Sequence, residues 1–155
     1  QTSVVSSYGR PAVSRVKVLA HLSHIGQQVS FVAIRIESGR MHQIRAHLAH
    51  LGFPVCGDMR YHAEGAAKFR VGPGRPGSGW PSGHCLHRYR LAFNDVAGQR
   101  QEVIEPLPRH LRSFLEGLQE HQGGENLKPW LLPSPLQPLQ SWEAMHRSWV
   151  PCEPL

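Results

Sequence analysis

The sequence predicts an α/β fold of the α+β kind, in which strands pair as hairpins and helices flank them. Three observations carry this. Two strand-like stretches, Val13–Leu19 and Val29–Ile36, stand on either side of a Gly-containing turn. A helical period follows at Met41–Leu51. A second strand–turn–strand pattern then fills Cys85–Ile104 and leads into another helical period.

In the first stretch Val16 and Val18 alternate with Arg15 and Lys17, as in a half-buried strand. Ile25-Gly26-Gln27-Gln28 supplies the turn. Val29, Phe31, Ala33, Ile34 and Ile36 form the return strand of a hairpin. Ser38-Gly39 ends that strand. In the helix, Ile44, Leu48 and Leu51 fall at i, i+4 and i+7, which predicts an apolar stripe. His42, Arg45 and Ala49 lie on the neighbouring face. Gly52 stands where a left-handed C-cap belongs, and Pro54 forbids continuation.

From about His62 to Gly83 the chain is too rich in Gly and Pro for either regular structure and reads as a loop. Cys85–Phe93 reads as a strand, Asn94–Gly98 as a turn and Gln99–Ile104 as its partner strand. A helix is expected over Arg109–Glu120, with Leu111, Phe114, Leu115 and Leu118 on its apolar face. Lys128–Pro138, with four prolines, should be extended, and Ser141–Val150 has the pattern of a short helix. Trp130, Trp142, Met145 and Trp149 make the last thirty residues too apolar for an ordinary linker. Ordering of residues 125–155 by a protein partner is the expectation; folding back over the chain's own sheet is the alternative. The expected division is a domain over 1–121 and a Pro/Trp-rich tail over 122–155.

At 155 residues the chain is long enough for one ordinary domain. It begins at Gln1 and is expected to be a fragment or a processed product of a longer protein. No apolar run approaches the roughly 18 residues of a membrane span. The net charge of +6 is unevenly placed: residues 1–95 hold 12 Lys/Arg against 4 acids, whereas residues 96–155 hold 5 against 7. A basic front half fits a polyanionic partner. Cys56, Cys85 and Cys152 are odd in number and form no C-x-x-C pair, which suits a reduced intracellular compartment. His47 and His50, and His84 and His87, are spaced three apart, but no further ligand completes either pair at a diagnostic spacing, so no metal is expected.

One stretch narrows the function. Ser38-Gly39-Arg40-Met41-His42-Gln43-Ile44-Arg45-Ala46-His47-Leu48 runs on through Gly52-Phe53-Pro54-Val55-Cys56-Gly57-Asp58 to Tyr61. It resembles the late signature of the RluA-type RNA pseudouridine synthases, G-R-x-H-Q-I-R-x-H-L followed by G-x-P-[IV]-x-G-D-x-x-Y. The likeness continues at Leu86-His87 and at Glu105-Pro106-Leu107-Pro108, and covers about Val16 to Leu118. Arg88 departs from the pattern, which has a small residue there.

The resemblance implies a mixed, largely antiparallel sheet with flanking helices and an RNA cleft across it. It implies isomerisation of uridine to pseudouridine by an aspartate nucleophile, without cofactor or metal. The arginine of H-Q-I-R pairs with that aspartate in the family, which assigns the role to Arg45. A half-buried arginine needs an anionic partner in any case. The nucleophile's own motif lies well upstream in the family, and residues 1–36 contain no Asp and no Glu. The chain therefore reads as the later part of a catalytic domain. Asp58 belongs to a segment read as structural. Arg40 and His42 are candidates for RNA contact or for holding the helix start. Arg70 and Arg75 are candidates for phosphate contact or solvated loop charges. Two functions stay open: an RNA pseudouridine synthase acting on rRNA or tRNA, or a non-catalytic RNA-binding subunit of a larger assembly such as an organellar ribosome. The expected location is intracellular, with a mitochondrion or other organelle as one option.

Overall fold

The computed structural model describes residues 2–62, 79–81, 83–122, 127–131 and 150–152. The chain divides into two compact units. One comprises Gln1–Val18, Val32–Leu86 and Ser148–Leu155, the other Leu19–Phe31 and His87–Arg147.

Strands β1 (Ser14–His24) and β2 (Gln27–Ile36) form the expected hairpin and contribute one end to each unit. Their turn places Ile25 at φ 48° and Gly26 at φ 73°. Positive φ at both central residues makes the tight turn that suits the twist of two strands, and a β-branched residue accepts it only at some strain.

β1 is longer than the alternation of Val16 and Val18 suggested, and its buried face lies elsewhere. Val18 is exposed, while Leu19, Ala20 and Leu22 are buried. The register shifts between His21 and Leu22, and such an irregularity turns side chains that strict alternation would place outward.

In the first unit the start of β1 pairs antiparallel with β6 (Val150–Cys152), Ser14 facing Cys152. Val150 is thus the first residue of a strand rather than the end of a helix. The rest of the expected helix over Ser141–Val150 lies outside the described residues. Helix α1 (Gln43–His50) forms where its period predicted. It closes with Gly52 at φ 83°, the Gly52 N–H donating to Ala49 O and the Phe53 N–H to Leu48 O. This is the double bond pattern of a glycine-terminated helix. Its deepest residues are Gln43 and Ala46, with Ile44, Leu48 and Leu51 only half-buried. The apolar stripe is therefore not the most enclosed face, because Gln43 has polar partners that draw it inward.

In the second unit β3 (Arg90–Asn94) and β4 (Arg100–Ile104) make an antiparallel hairpin, Leu91 opposite Val103. The Asp95 carboxylate caps its turn by accepting the amides of Ala97 and Gln99 and the Gln101 side chain, and Gly98 takes φ 76°. The ladder begins at Arg90, not at Cys85. Upstream of it the chain leaves the hairpin: the Cys85 N–H donates to Cys56 O in the first unit's own segment.

Helix α2 (Arg109–Glu116) buries Leu111 and Leu115 but stops at Gly117, short of the expected Glu120. The chain instead turns into β5 (Gln119–Gln122), which pairs antiparallel with β1. Pairing with an existing edge satisfies backbone groups that another helical turn would have left to solvent. α3 (Lys128–Leu131) is a helical turn where an extended run was expected. Pro129 is tolerated because the first turn of a helix has no use for its missing N–H. The turn buries Leu127 and Trp130, and the Trp130 ring meets Tyr89 edge-on at 4.8 Å and Phe31 at 5.9 Å. Within Lys128–Leu131 the chain's own core supplies contacts for the Trp130 ring. Arg70, Arg75 and nearly all of the loop expected over 62–83 lie outside the described residues.

Trp130→Ala should destabilise the chain by about 3–5 kcal/mol, the usual effect of removing a buried large aromatic. Denaturant unfolding measures it; a loss below about 1 kcal/mol would mean that α3 does not complete the core of the second unit.

Candidate functional site

The site is built in the first unit where α1 starts. Gln43 is buried at 5% exposure. Its Nε2 donates to Val13 O (3.0 Å) and Ser14 Oγ (3.2 Å). Its Oε1 accepts from Ser38 Oγ (2.9 Å) and the Arg40 N–H (3.1 Å). Every donor and acceptor of the amide is used, which is what allows a polar side chain to sit so deep. The helix start is thereby tied to the start of β1 and to the loop that leaves β2. Just before it, His42 takes the left-handed conformation at φ 55° with no side-chain cap. Such a residue turns the chain sharply into the helix.

Arg45 follows two residues into α1. Its Nε donates to Asp58 Oδ2 at 2.6 Å and its Nη2 to Asp58 Oδ1 at 2.7 Å. This is a side-on, two-bond fork, the strong form of an arginine–carboxylate pair. The Tyr61 ring lies over the guanidinium, 4.9 Å from its central carbon. The arginine side chain is 14% exposed and the aspartate side chain 0%.

The sequence places Asp58 there through a close approach. Gly57 takes φ 78°, and a Cβ at that position would collide with the Gly83 carbonyl. Only glycine admits both the backbone conformation and the contact. Asp58 then opens a turn, its carbonyl accepting the His62 N–H at 3.1 Å. Its Oδ1 accepts the amides of Arg60 (3.2 Å) and Tyr61 (3.3 Å), and His84 Nε2 stands 3.5 Å away. The Tyr61 hydroxyl in turn accepts the Ser3 N–H at 2.9 Å and meets His42 Nδ1 at 3.2 Å.

Charge states follow from these contacts. Burial pushes the Asp58 carboxyl upward, but the hydrogen bonds and charge of Arg45, the Tyr61 amide and the His84 charge outweigh it and hold the group below its usual range. The fork with Asp58 raises Arg45 further, against its own burial. His42 is lowered, first by desolvation and then by the charges of Arg45 and Arg60, which disfavour its charged form. The thiols are poor nucleophiles: burial raises Cys56, and burial with the nearby Cys56 pushes Cys85 up to about 12.

Of the candidates named from the sequence, Arg45 has an acidic partner and His42 borders the same cluster through Tyr61. Arg40 is exposed and holds the helix start through its backbone N–H. Arg70 and Arg75 lie outside the described residues. Gln43 and Tyr61 enter the sequence reading only as letters of the motif, His84 only as half of a metal-ligand spacing, and Asp58 only as structural. The signal for Asp58 and Tyr61 was present in Gly-Asp-x-x-Tyr: an Asp that can accept the amides two and three residues on, preceded by a glycine. Nothing in their spacing pairs Asp58 with Arg45, because the helix end and the Gly57 turn intervene.

Comparison with known proteins agrees with the motif. An uncharacterized RNA pseudouridine synthase of Synechocystis is 36% identical over 107 residues, which cover 68% of this chain and 34% of the relative. RNA pseudouridine synthase 5 of Arabidopsis thaliana is 34% identical over 131 residues, covering 73% of this chain and 35% of the relative. The solved structure of human RNA Pseudouridylate Synthase Domain Containing 1 superposes with a TM-score of 0.58 at 29% identity, covering 87% of this chain and 47% of that one. No family model matches. The chain spans about a third of the length of the curated relatives it matches.

Asp58→Asn should destabilise the chain at pH 7 by about 3–5 kcal/mol, because it leaves Arg45 buried without its counter-charge. A carboxyl with a depressed folded pKa contributes stability in full above its ordinary value of 3.8 and loses it as pH falls through the folded value. The gap between the parent and Asp58→Asn in urea titrations should therefore be widest above the ordinary carboxyl value of 3.8 and shrink as pH falls below it. A gap that does not vary with pH would show that the carboxylate is not ionised in the folded chain.

Proposed function

The chain belongs to the RluA-type RNA pseudouridine synthase family, and we propose that it supplies the arginine side of the uridine site of an RNA pseudouridine synthase. Such an enzyme breaks the bond from ribose to uracil N1 and remakes it to C5. The target nucleotide must leave its stack to expose that bond.

One observation carries the reading. A guanidinium offers five N–H donors. Asp58 takes the side-on pair, from Nε and Nη2, and Tyr61 covers a face. No hydrogen bond to Nη1 or to the second Nη2 hydrogen is made among the described residues. Arg45 is thus fixed by one edge while its end-on edge keeps a matching pair of donors for a second carboxylate. Asp58 is a poor candidate for nucleophile: both its oxygens are engaged and its side chain is fully covered. In this reading the attacking aspartate comes from a segment outside residues 1–155.

RNA is the partner, as rRNA or tRNA. The excess of cations in residues 1–95 attracts it, the exposed Arg40 together with Arg70 and Arg75 contacts phosphate, and His42 lines the approach to Tyr61. A protein partner on residues 125–155 would use side chains other than Trp130, which is buried.

Residues 1–155 alone should release no tritium from 5-tritiated uridine in RNA. The parent protein with its upstream coding sequence should do so, and Arg45→Ala there should lower kcat by about 100- to 1,000-fold, as loss of one preorganised electrostatic group does. A parent protein that binds RNA but shows no turnover would favour the non-catalytic RNA-binding subunit. Binding of residues 1–155 to RNA should weaken steeply from low to moderate salt.

A further inference from the structure

We propose that Asp58 is a positioning residue of this site, holding Arg45 by its side-on edge so that the end-on edge faces the attacking carboxylate. The proposal rests on the reading above, and the variants below separate its failure from the failure of that reading.

The geometry restricts Arg45 in two ways, and both restraints are themselves held in place. The fork to Asp58 fixes the plane of the guanidinium and its rotation within that plane. The Tyr61 ring blocks one face. Tyr61 is itself held, its amide donating to Asp58 and its hydroxyl bonded to the Ser3 N–H and facing His42. Asp58 is held by the Arg60 and Tyr61 amides and by the Gly57 turn against Gly83. An unsupported arginine samples many rotamers, and each must be frozen before a second carboxylate can bind in two-bond geometry. Here that ordering is complete before substrate arrives. A displacement of the guanidinium by an ångström would misplace the nucleophile by as much.

Asp58 also sets the local charge. With one arginine between two carboxylates, each opposes ionisation of the other. The charged and titratable groups around Asp58 are Arg45 and His84, which face its oxygens, and Tyr61 and Arg60, which reach it through their amides. His42 meets the Tyr61 ring edge-on, with 5.9 Å between ring centroids. Replacing Asp58 by Asn removes one negative charge from beside Arg45. Ionisation of the attacking carboxylate then becomes easier.

The test uses the parent enzyme with its upstream segment, steady-state turnover of an RNA substrate, and kcat followed from pH 4 upward. Asp58→Asn should lower kcat on the order of 10- to 100-fold with KM unchanged, from the loosened arginine. The acid limb of the kcat profile should move down by about one unit, from the lost negative charge. Asp58→Glu keeps the charge but pushes the fork outward by one methylene. It should lower kcat while leaving the acid limb where it was. A folded Asp58→Asn enzyme with parental kcat and parental acid limb overturns the proposal and leaves Asp58 a stabilising residue only. If Asp58→Asn does not fold, Asp58→Glu decides: a reduced kcat with parental KM supports the proposal, and parental kcat overturns it. Arg45→Lys separates the levels, since a lysine cannot present two forks. Full kcat in Arg45→Lys would overturn the functional reading itself, and with it the role of Asp58.

Discussion

The fork between Arg45 and Asp58 constrains everything around it. A guanidinium at 14% exposure needs a counter-charge, and a carboxylate at 0% exposure needs one still more. Neither residue can be buried alone, so the elements that carry them must close on each other. α1 brings Arg45 only if its start is pinned, which Gln43 does with four hydrogen bonds. The segment after α1 brings Asp58 only if the chain can turn sharply, which Gly52 and Gly57 allow. The whole motif from Arg40 to Tyr61 is therefore one mechanical unit, and its residue types follow from the need to enclose one ion pair.

Enclosure is uneven in a way that matters for chemistry. Asp58 has both oxygens satisfied, whereas among the described residues Arg45 retains donors along one edge. The pair is thus inert on its acidic side and receptive on its basic side. A site of this kind can recruit and hold ionised a carboxylate that the described residues do not themselves provide. The relatives, about three times as long as the matched segment, have room for the region that would carry it.

Much of this was legible in the sequence, and the parts that were not have physical causes. The first hairpin, the helix after it and the glycine that ends that helix follow from period and turn chemistry. The second hairpin follows too, though its ladder starts five residues later, because Cys85 bonds to Cys56 instead of to a neighbouring strand. Propensity extended α2 beyond Gly117, but an available strand edge on β1 took Gln119–Gln122. Trp130 looked like a contact surface because a local reading cannot see that Phe31 and Tyr89 converge on it. The same limit applies at the site. Arg45 stood out through its motif, and the need for an anion followed from its place beside the apolar stripe. That the anion is Asp58 depends on a turn whose geometry is set by contact with Gly83, a residue far along the chain.

The most direct test of the central interaction is a double-mutant cycle on the chain itself, with Arg45→Ala, Asp58→Ala and the pair, each unfolded in urea at pH 7. A buried, two-bond ion pair predicts a coupling energy of about 2–3 kcal/mol, the double variant losing far less than the sum of the singles. A coupling below about 0.5 kcal/mol would mean that the two side chains act independently, and that the fork does not organise this segment.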